Sequence, residues 1–191
     1  MRVDPKEYQE IKIRAHSLLA NVPLHDVWAI DLPGGGTNQT IVDLRSLLST
    51  HKLGGASAAV SFLFALRVGL GRVFDWDRES PKAFEESFLN RLSADDKESS
   101  LVTPGTREGP FRVLFVSRQE AISEIRNVTV HGFSVFALLR RSSGYRLYWA
   151  IYVQPVGRIT AWYMRLIDPF RRFIIYPAVL RHIRAIWSHA E

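Results

Sequence analysis

The fold of this chain is decided by residues 128–158, which read VTVHGFSVFALLRRSSGYRLYWAIYVQPVGR. Apolar, β-branched and aromatic residues dominate 128–140 and 145–154, which predicts two long strands. Ser142-Ser143-Gly144 between them is typical of a tight turn. The stretch therefore predicts an antiparallel hairpin that leads, after Gly157, into the last helix.

The second of these strands is apolar on both faces. Alternation along a strand puts successive side chains on opposite sides of the sheet. One side carries Tyr145, Leu147, Trp149, Ile151 and Val153, and the other carries Tyr148, Ala150 and Tyr152. The pattern predicts a sheet that is covered on both sides over part of its length.

A basic, aromatic helix is predicted from about Arg158 to Trp187, with interruptions near Pro169 and Pro177. From residue 156 onward the sequence has two acidic residues, Asp168 and Glu191, and six arginines, a local excess of four positive charges. The arginines are at 158, 165, 171, 172, 181 and 184. The whole chain has a net charge of +6. Such a distribution is typical of a solvated helix face, and it also permits an anionic ligand, an acidic lipid surface or nucleic acid.

The rest of the chain completes an α+β arrangement. The patterns predict an amphipathic helix over 5–19, a first strand over 24–32, and two helices after it, the second nearly all apolar and ending near Phe74. A long polar loop over 75–110 with one short helix near 81–92 precedes two further strands, 111–116 and 121–126. A length of 191 residues fits a single domain that spans 1–191.

The amino-acid composition and the N-terminal sequence indicate the cellular environment in which the protein is expected. The chain is 47% apolar and 23% charged, as in ordinary globular proteins. It contains no cysteine, which excludes disulfides, thiolate metal sites and a cysteine nucleophile. The first ten residues lack the apolar core of a secretory signal, and the apolar run 54–66 is too short to span a bilayer. We therefore expect a cytoplasmic protein with no integral membrane segment.

No motif in the sequence predicts catalysis. Gly34-Gly35-Gly36 lies between a strand and a helix but lacks the lysine and the glycine spacing of nucleotide-binding loops. The histidines show no spacing of three or four residues that would place two metal ligands on one helix face, so neither a metal site nor a cofactor is expected. His131 is distinctive because it lies mid-strand among apolar residues, where an imidazole must find a partner or line a cavity.

Aromatic residues concentrate in the last third of the chain. They alternate with aliphatic residues that need burial, whereas proteins that read single-stranded nucleic acid display aromatics on exposed strands. We therefore expect these rings to pack in the core and expect no nucleic-acid partner. The set comprises Phe133, Phe136, Tyr145, Tyr148, Trp149, Tyr152, Trp162, Tyr163, Phe170, Phe173, Tyr176 and Trp187.

Four segments carry a resemblance to a known family. They are LFALR at 63–67 through GRVFDWD at 71–77, RVL at 112–114, GRITAWY at 157–163 and DPFRRFI at 168–174. The chain resembles an uncharacterised bacterial domain family in or near the SRPBCC superfamily, whose START and Bet v-type members share the helix-grip fold. In some relatives the domain follows a nucleotide-sugar-epimerase-like domain. The resemblance implies a curved antiparallel sheet packed on a long C-terminal helix, and it supplies no catalytic residues.

Three functional hypotheses follow. The superfamily resemblance implies a cavity between the sheet and the C-terminal helix that accepts a hydrophobic or amphipathic small molecule, and His131, Trp149 and Tyr152 are the candidate ligand-binding residues. Because His131 and Trp149 belong to neighbouring strands, they could face one interior. A cyclase- or aromatase-like enzyme could use the same cavity with His131 as its ionisable residue. Alternatively, the arginine-rich helix could bind acidic lipid or a protein partner.

Overall fold

A computed structural model of the chain describes residues 1–34, 36, 38–50, 87–127 and 129–188. The apolar helix predicted to end near Phe74, and the first half of the helix predicted near 81–92, lie outside these residues. The described strands are β1 Leu24–Pro33, β2 Arg107–Glu108, β3 Phe111–Val116, β4 Glu120–Arg126, β5 His131–Arg141 and β6 Gly144–Gln154. The described α-helices are α1 Pro5–Gln9, α2 Arg14–Leu18, α3 Ile41–Thr50, α4 Ala94–Ser99, α5 Arg158–Phe170 and α6 Tyr176–Ser188.

The strands form one curved antiparallel sheet in the order β1-β6-β5-β4-β3-β2. The predicted hairpin is confirmed as β5 and β6, which pair from His131↔Gln154 to Arg141↔Gly144 without a register shift. Gly144 has a φ of 138°, and a Cβ at this position would lie 2.3 Å from the carbonyl oxygen of Leu32 in β1. The turn therefore requires glycine both for its backbone and for the close approach of the neighbouring strand.

Both faces of the sheet are covered, as predicted. One face packs against an N-terminal layer made of α1, α2 and the 3₁₀ turn Phe88–Arg91. Tyr8, Leu19 and Phe88 are the largest fully buried side chains that this layer contributes. The predicted single opening helix is in fact two short helices, since the residues between Gln9 and Arg14 are not helical.

The opposite face packs against α3 and the terminal helix, by which we mean residues 158–188. Its inner side buries Tyr176, Leu180, Ile183 and Trp187. The predicted interruption takes the form of a π-helical turn at Arg171–Ile175, between Pro169 and Pro177. A π turn inserts a residue and changes which side chains face the sheet. The α+β arrangement of a curved sheet with a C-terminal helix packed on it is thus confirmed.

Candidate functional site

Aromatic rings fill the space between the terminal helix and β1 and β6. The ring of Tyr176 lies 5.0 Å from that of Trp28 and 4.9 Å from that of Trp149. Trp149 also donates from Nε1 to Ser134 Oγ at 2.9 Å. The last turn is anchored by Trp187, whose Nε1 donates to the carbonyl oxygen of Pro33 at 3.0 Å. Trp149 therefore packs the helix onto the sheet.

His131 and Tyr152 lie on the other face of the sheet. Trp149 pairs with Phe136, whereas His131 pairs with Gln154 and Tyr152 pairs with Phe133. Side chains of adjacent residues alternate between faces, so these pairings separate Trp149 from the other two residues. The expectation that His131 and Trp149 face one interior is therefore wrong. The sequence could not reveal this because a shift of one residue in register exchanges the faces.

His131 is buried and both of its ring nitrogens are engaged. Its Nε2 lies 2.6 Å from Glu124 Oε1, and its Nδ1 lies 3.2 Å from Arg126 Nη1. A guanidinium only donates, so Nδ1 accepts and the imidazole is the neutral Nε2–H tautomer that donates to the carboxylate. The ring also packs against those of Phe88 and Phe133. This geometry is that of a structural histidine and does not favour a role as an exposed acid or base.

Tyr152 lies in the same N-terminal layer. Its ring centroid is 6.4 Å from that of Tyr8, and its hydroxyl lies 3.5 Å from His16 Nδ1. Burial raises the pKa of the Tyr152 hydroxyl. Tyr152 thus belongs to the core between the sheet and the first two helices.

The outer side of α5 exposes a row of large apolar side chains. The exposed fractions are 73% for Trp162, 54% for Leu166, 42% for Phe170 and 81% for Phe173, which lies in the π turn. We call these four residues the outer apolar face. Arg165 lies beside the row, with its guanidinium 6.0 Å from the centre of the Trp162 ring. The prediction that Trp162, Phe170 and Phe173 pack in the core is therefore wrong.

The sequence contained a signal for this face. Trp162, Leu166 and Phe170 recur every four residues, which places them on one side of a helix. Tyr163 and Met164 occupy the opposite side and are buried. Periodicity predicts two faces but does not say which one is covered, because the core around β5 and β6 chooses between them.

Beyond the π turn the outer side of the helix becomes basic. Arg181 and Arg184 are exposed on α6, while Val179, Ile183 and Trp187 are buried. Asp168 is the only acidic residue between positions 156 and 188. The exposed side of the terminal helix therefore begins apolar and ends cationic.

Asp168 points inward, into a cluster of charged side chains. His25 Nε2 lies 2.9 Å from Asp168 Oδ2, and Arg171 Nη1 lies 3.1 Å from Asp168 Oδ1. His25 and Asp26 are adjacent in β1, but the register shifts between Leu24 and Asp26, which is typical of a β-bulge. The bulge lets both side chains face the terminal helix.

A cavity of about 490 Å³ opens beside the start of α3. Among the described residues, eight of the nine that line it carry polar side chains, with two guanidinium groups and no carboxylate, and the terminal helix contributes nothing to it. The lining residues are Asn38, Gln39, Thr40, Ser117, Arg118, Gln119, Leu138, Arg140 and Tyr145.

Within the described part of the chain, no helix has the length and apolar character needed to cross a bilayer. The comparisons with known proteins give one match. The sequence profile of a family described as "Protein of unknown function (DUF2867)" covers residues 18–178. Neither the curated proteins nor the solved structures contain a significant match. The chain therefore belongs to the DUF2867 family, whose function is not known.

Proposed function

We propose that this protein binds the surface of an anionic membrane through the outer apolar face of its terminal helix. The single observation that carries the proposal is the exposure of Trp162, Leu166, Phe170 and Phe173 in one row. A contiguous apolar patch on a protein surface marks an interaction site more often than a scatter of single residues does. The helix would lie in the plane of the interface, with its inner side still packed on the sheet.

The energetics favour such a docking. Moving one large apolar side chain from water into an apolar environment contributes about 2 kcal/mol. Trp162 and Phe173 are the most exposed members of the row, so each would gain most of this amount. Each arginine near an anionic surface adds about 1 kcal/mol.

The arginines beside the outer apolar face favour an anionic lipid surface over a protein as its binding partner. The described arginines on the exposed side, Arg165, Arg181 and Arg184, flank or continue the apolar row. Tryptophan and phenylalanine beside arginine are the side chains that interfacial helices use at the headgroup level. In cells the anionic lipids of the plasma membrane lie mainly in the cytoplasmic leaflet, which fits the expectation of a cytoplasmic protein.

Vesicle co-sedimentation tests the proposal. The wild-type chain should pellet with phosphatidylcholine vesicles that contain 30% phosphatidylserine, at roughly a hundredfold lower lipid than a Trp162→Ser/Phe173→Ser double variant needs. Leu101→Ser is the matched control, because Leu101 is 55% exposed but lies outside the terminal helix. This control should bind like the wild type.

Two kinds of result would overturn the proposal. One is an absence of binding to anionic vesicles at low salt, or binding that the double variant retains in full. The other is a dimer in light scattering that only the double variant abolishes, since the apolar face would then contact a second copy of the chain.

A second candidate function, small-molecule binding, is favoured by the cavity beside α3. Arg118 and Arg140 line it together with hydroxyl and amide groups, so its ligand would be a small anion such as a phosphate or carboxylate compound. Thermal unfolding in inorganic phosphate and in citrate tests this function. We expect the wild type to gain stability, Arg118→Gln to lose that gain, and the exposed Lys97→Gln control to keep it. Equal stabilisation of all three chains would contradict it.

The hydrophobic ligand predicted between the sheet and the terminal helix stays a prediction. Trp28, Trp149 and Tyr176 occupy that interface in the described part of the chain. The enzyme alternative depended on an imidazole that points into an open pocket, whereas His131 is buried and engaged at both nitrogens. The geometry therefore supports the two binding functions above more strongly.

A further inference from the structure

The carboxylate of Asp26 is completely buried, and no described residue donates a hydrogen bond to it. Its side chain has no exposed area, and both of its oxygens lack a hydrogen-bonding partner within the described ranges. An ionised carboxylate in such a position is costly, because burial removes its hydration and the side chains of Arg2, His25 and Arg172, each at 3.6 Å, are too distant to donate hydrogen bonds to it. A buried polar group of this kind calls for a partner such as an ion.

Two further ligand-type side chains converge on Asp26. His25 Nε2 lies 3.6 Å from Asp26 Oδ2 and 2.9 Å from Asp168 Oδ2. One ligand atom from each of the three side chains lies within 4.8 Å of the other two. These separations approach those of donors that share one ion at about 2.0 to 2.2 Å. The sheet supplies two of the donors through its β-bulge, and the terminal helix supplies the third.

We propose that His25, Asp26 and Asp168 form a site for a divalent transition-metal ion, such as Zn²⁺ or Mn²⁺. One imidazole with two carboxylates suits these ions, and three protein ligands leave a position for water or a further ligand. The metal would replace the missing hydrogen bonds of Asp26. It would also tie β1 to the terminal helix at the level of the π turn.

Neighbouring arginines modulate this site. Arg172 approaches both carboxylates, with Nε 3.6 Å from Asp26 Oδ2 and Nη2 3.6 Å from Asp168 Oδ2. Arg2 Nε lies 3.6 Å from Asp26 Oδ1, and Arg171 Nη1 lies 3.1 Å from Asp168 Oδ1. The positive charge of Arg172 therefore partly neutralises the carboxylates of Asp26 and Asp168. Because its side chain is partly exposed, it can turn outward when a metal enters, and it competes with the metal for the site.

Isothermal titration calorimetry of the untagged chain with Zn²⁺ and Mn²⁺ at pH 7.5 tests the site. We expect saturable binding of one ion per chain and at least thirtyfold weaker binding by Asp26→Asn. Asp31→Asn is the matched control, since Asp31 lies in the same strand but is mostly exposed and pairs with Arg146. This control should bind like the wild type.

Loss of the competing cation gives an independent test. Arg172→Gln should bind the metal severalfold more tightly than the wild type, which a purely structural ion-pair network would not predict. If Asp26→Asn fails to fold, His25→Gln replaces it, because His25 is partly exposed and should tolerate the change. The proposal is overturned if neither metal binds with one-to-one stoichiometry, or if Asp26→Asn, or His25→Gln in its place, binds as tightly as the wild type.

Discussion

Glu124 Oε1 accepts a hydrogen bond of 2.6 Å from His131 Nε2 inside the N-terminal layer. The same carboxylate accepts from Ser87 Oγ at 2.5 Å and from the backbone N–H of Phe88 at 3.0 Å. Glu124 therefore fastens the chain that leads into the 3₁₀ turn onto β4. The imidazole is one of the donors that make burial of this charge possible.

The first prediction concerns this carboxylate. Glu124→Gln should lower the free energy of unfolding by about 3 kcal/mol, because an amide cannot replace the charge that three buried donors share. Urea denaturation followed by circular dichroism measures the loss. The exposed Glu98→Gln is the control and should change the free energy by less than about 0.5 kcal/mol. Equal effects of the two substitutions would contradict this role.

A second prediction concerns pH and the pair Asp96–Arg14. The Arg14 guanidinium donates a hydrogen bond of 2.8 Å to each carboxylate oxygen of Asp96. These bonds, with further ones from Ser93, lower the pKa of Asp96 from 3.8 to about 2. Because the folded pKa lies below the unfolded value, the pair contributes stability above about pH 4. That stability is lost as the pH falls towards 2.

Asp96→Asn should therefore cost about 1 kcal/mol at pH 7, since the partly exposed Arg14 is screened by solvent, and almost nothing at pH 2. Glu120 also titrates in acid: burial raises its pKa, so its protonation favours the folded state. Because the wild type and the variant share Glu120, the difference between them at each pH reports on Asp96 alone. The exposed neighbour Asp95→Asn serves as the control. A cost that does not change between pH 7 and pH 2 would argue against the ion pair.

A third prediction concerns the turn between β5 and β6. Gly144→Ala should lower the free energy of unfolding by more than about 2 kcal/mol, because a Cβ would meet the backbone of β1 at 2.3 Å. Gly109 also has a positive φ, of 58°, but a Cβ added there would have no atom within 4 Å. Gly109→Ala should therefore cost only about 1 kcal/mol of backbone strain. Similar midpoints for the two variants in thermal unfolding would refute the close approach.

A fourth prediction concerns the basic end of the terminal helix. Arg181→Gln/Arg184→Gln should weaken binding to anionic vesicles by roughly thirtyfold at low salt and should leave a smaller salt dependence than the wild type shows. The apolar contribution should persist, so residual binding should still require Trp162 and Phe173. Co-sedimentation at two salt concentrations measures both effects. A salt dependence as steep as that of the wild type would count against a role for these arginines.

Local patterns explain which elements were predictable from the sequence. Alternation and the Ser142-Ser143-Gly144 turn predicted β5 and β6, and helical periodicity predicted the terminal helix. The face on which each side chain lies was not predictable, because strand register separates His131 from Trp149. The histidine spacing gave no sign of the charged cluster, since His25 and Asp168 are 143 residues apart and meet only in the folded chain.

Spin labelling measures membrane docking most directly, because the chain has no native cysteine to interfere. A label on Ala161→Cys would lie on the exposed side of α5, and a label on Ser99→Cys would lie on α4, away from the terminal helix. The proposal predicts that anionic vesicles shield the Ala161 label from an aqueous nickel reagent and increase its exposure to oxygen, while the Ser99 label stays unchanged. An Ala161 label that remains as accessible to the nickel reagent with vesicles as without them would contradict the proposed function.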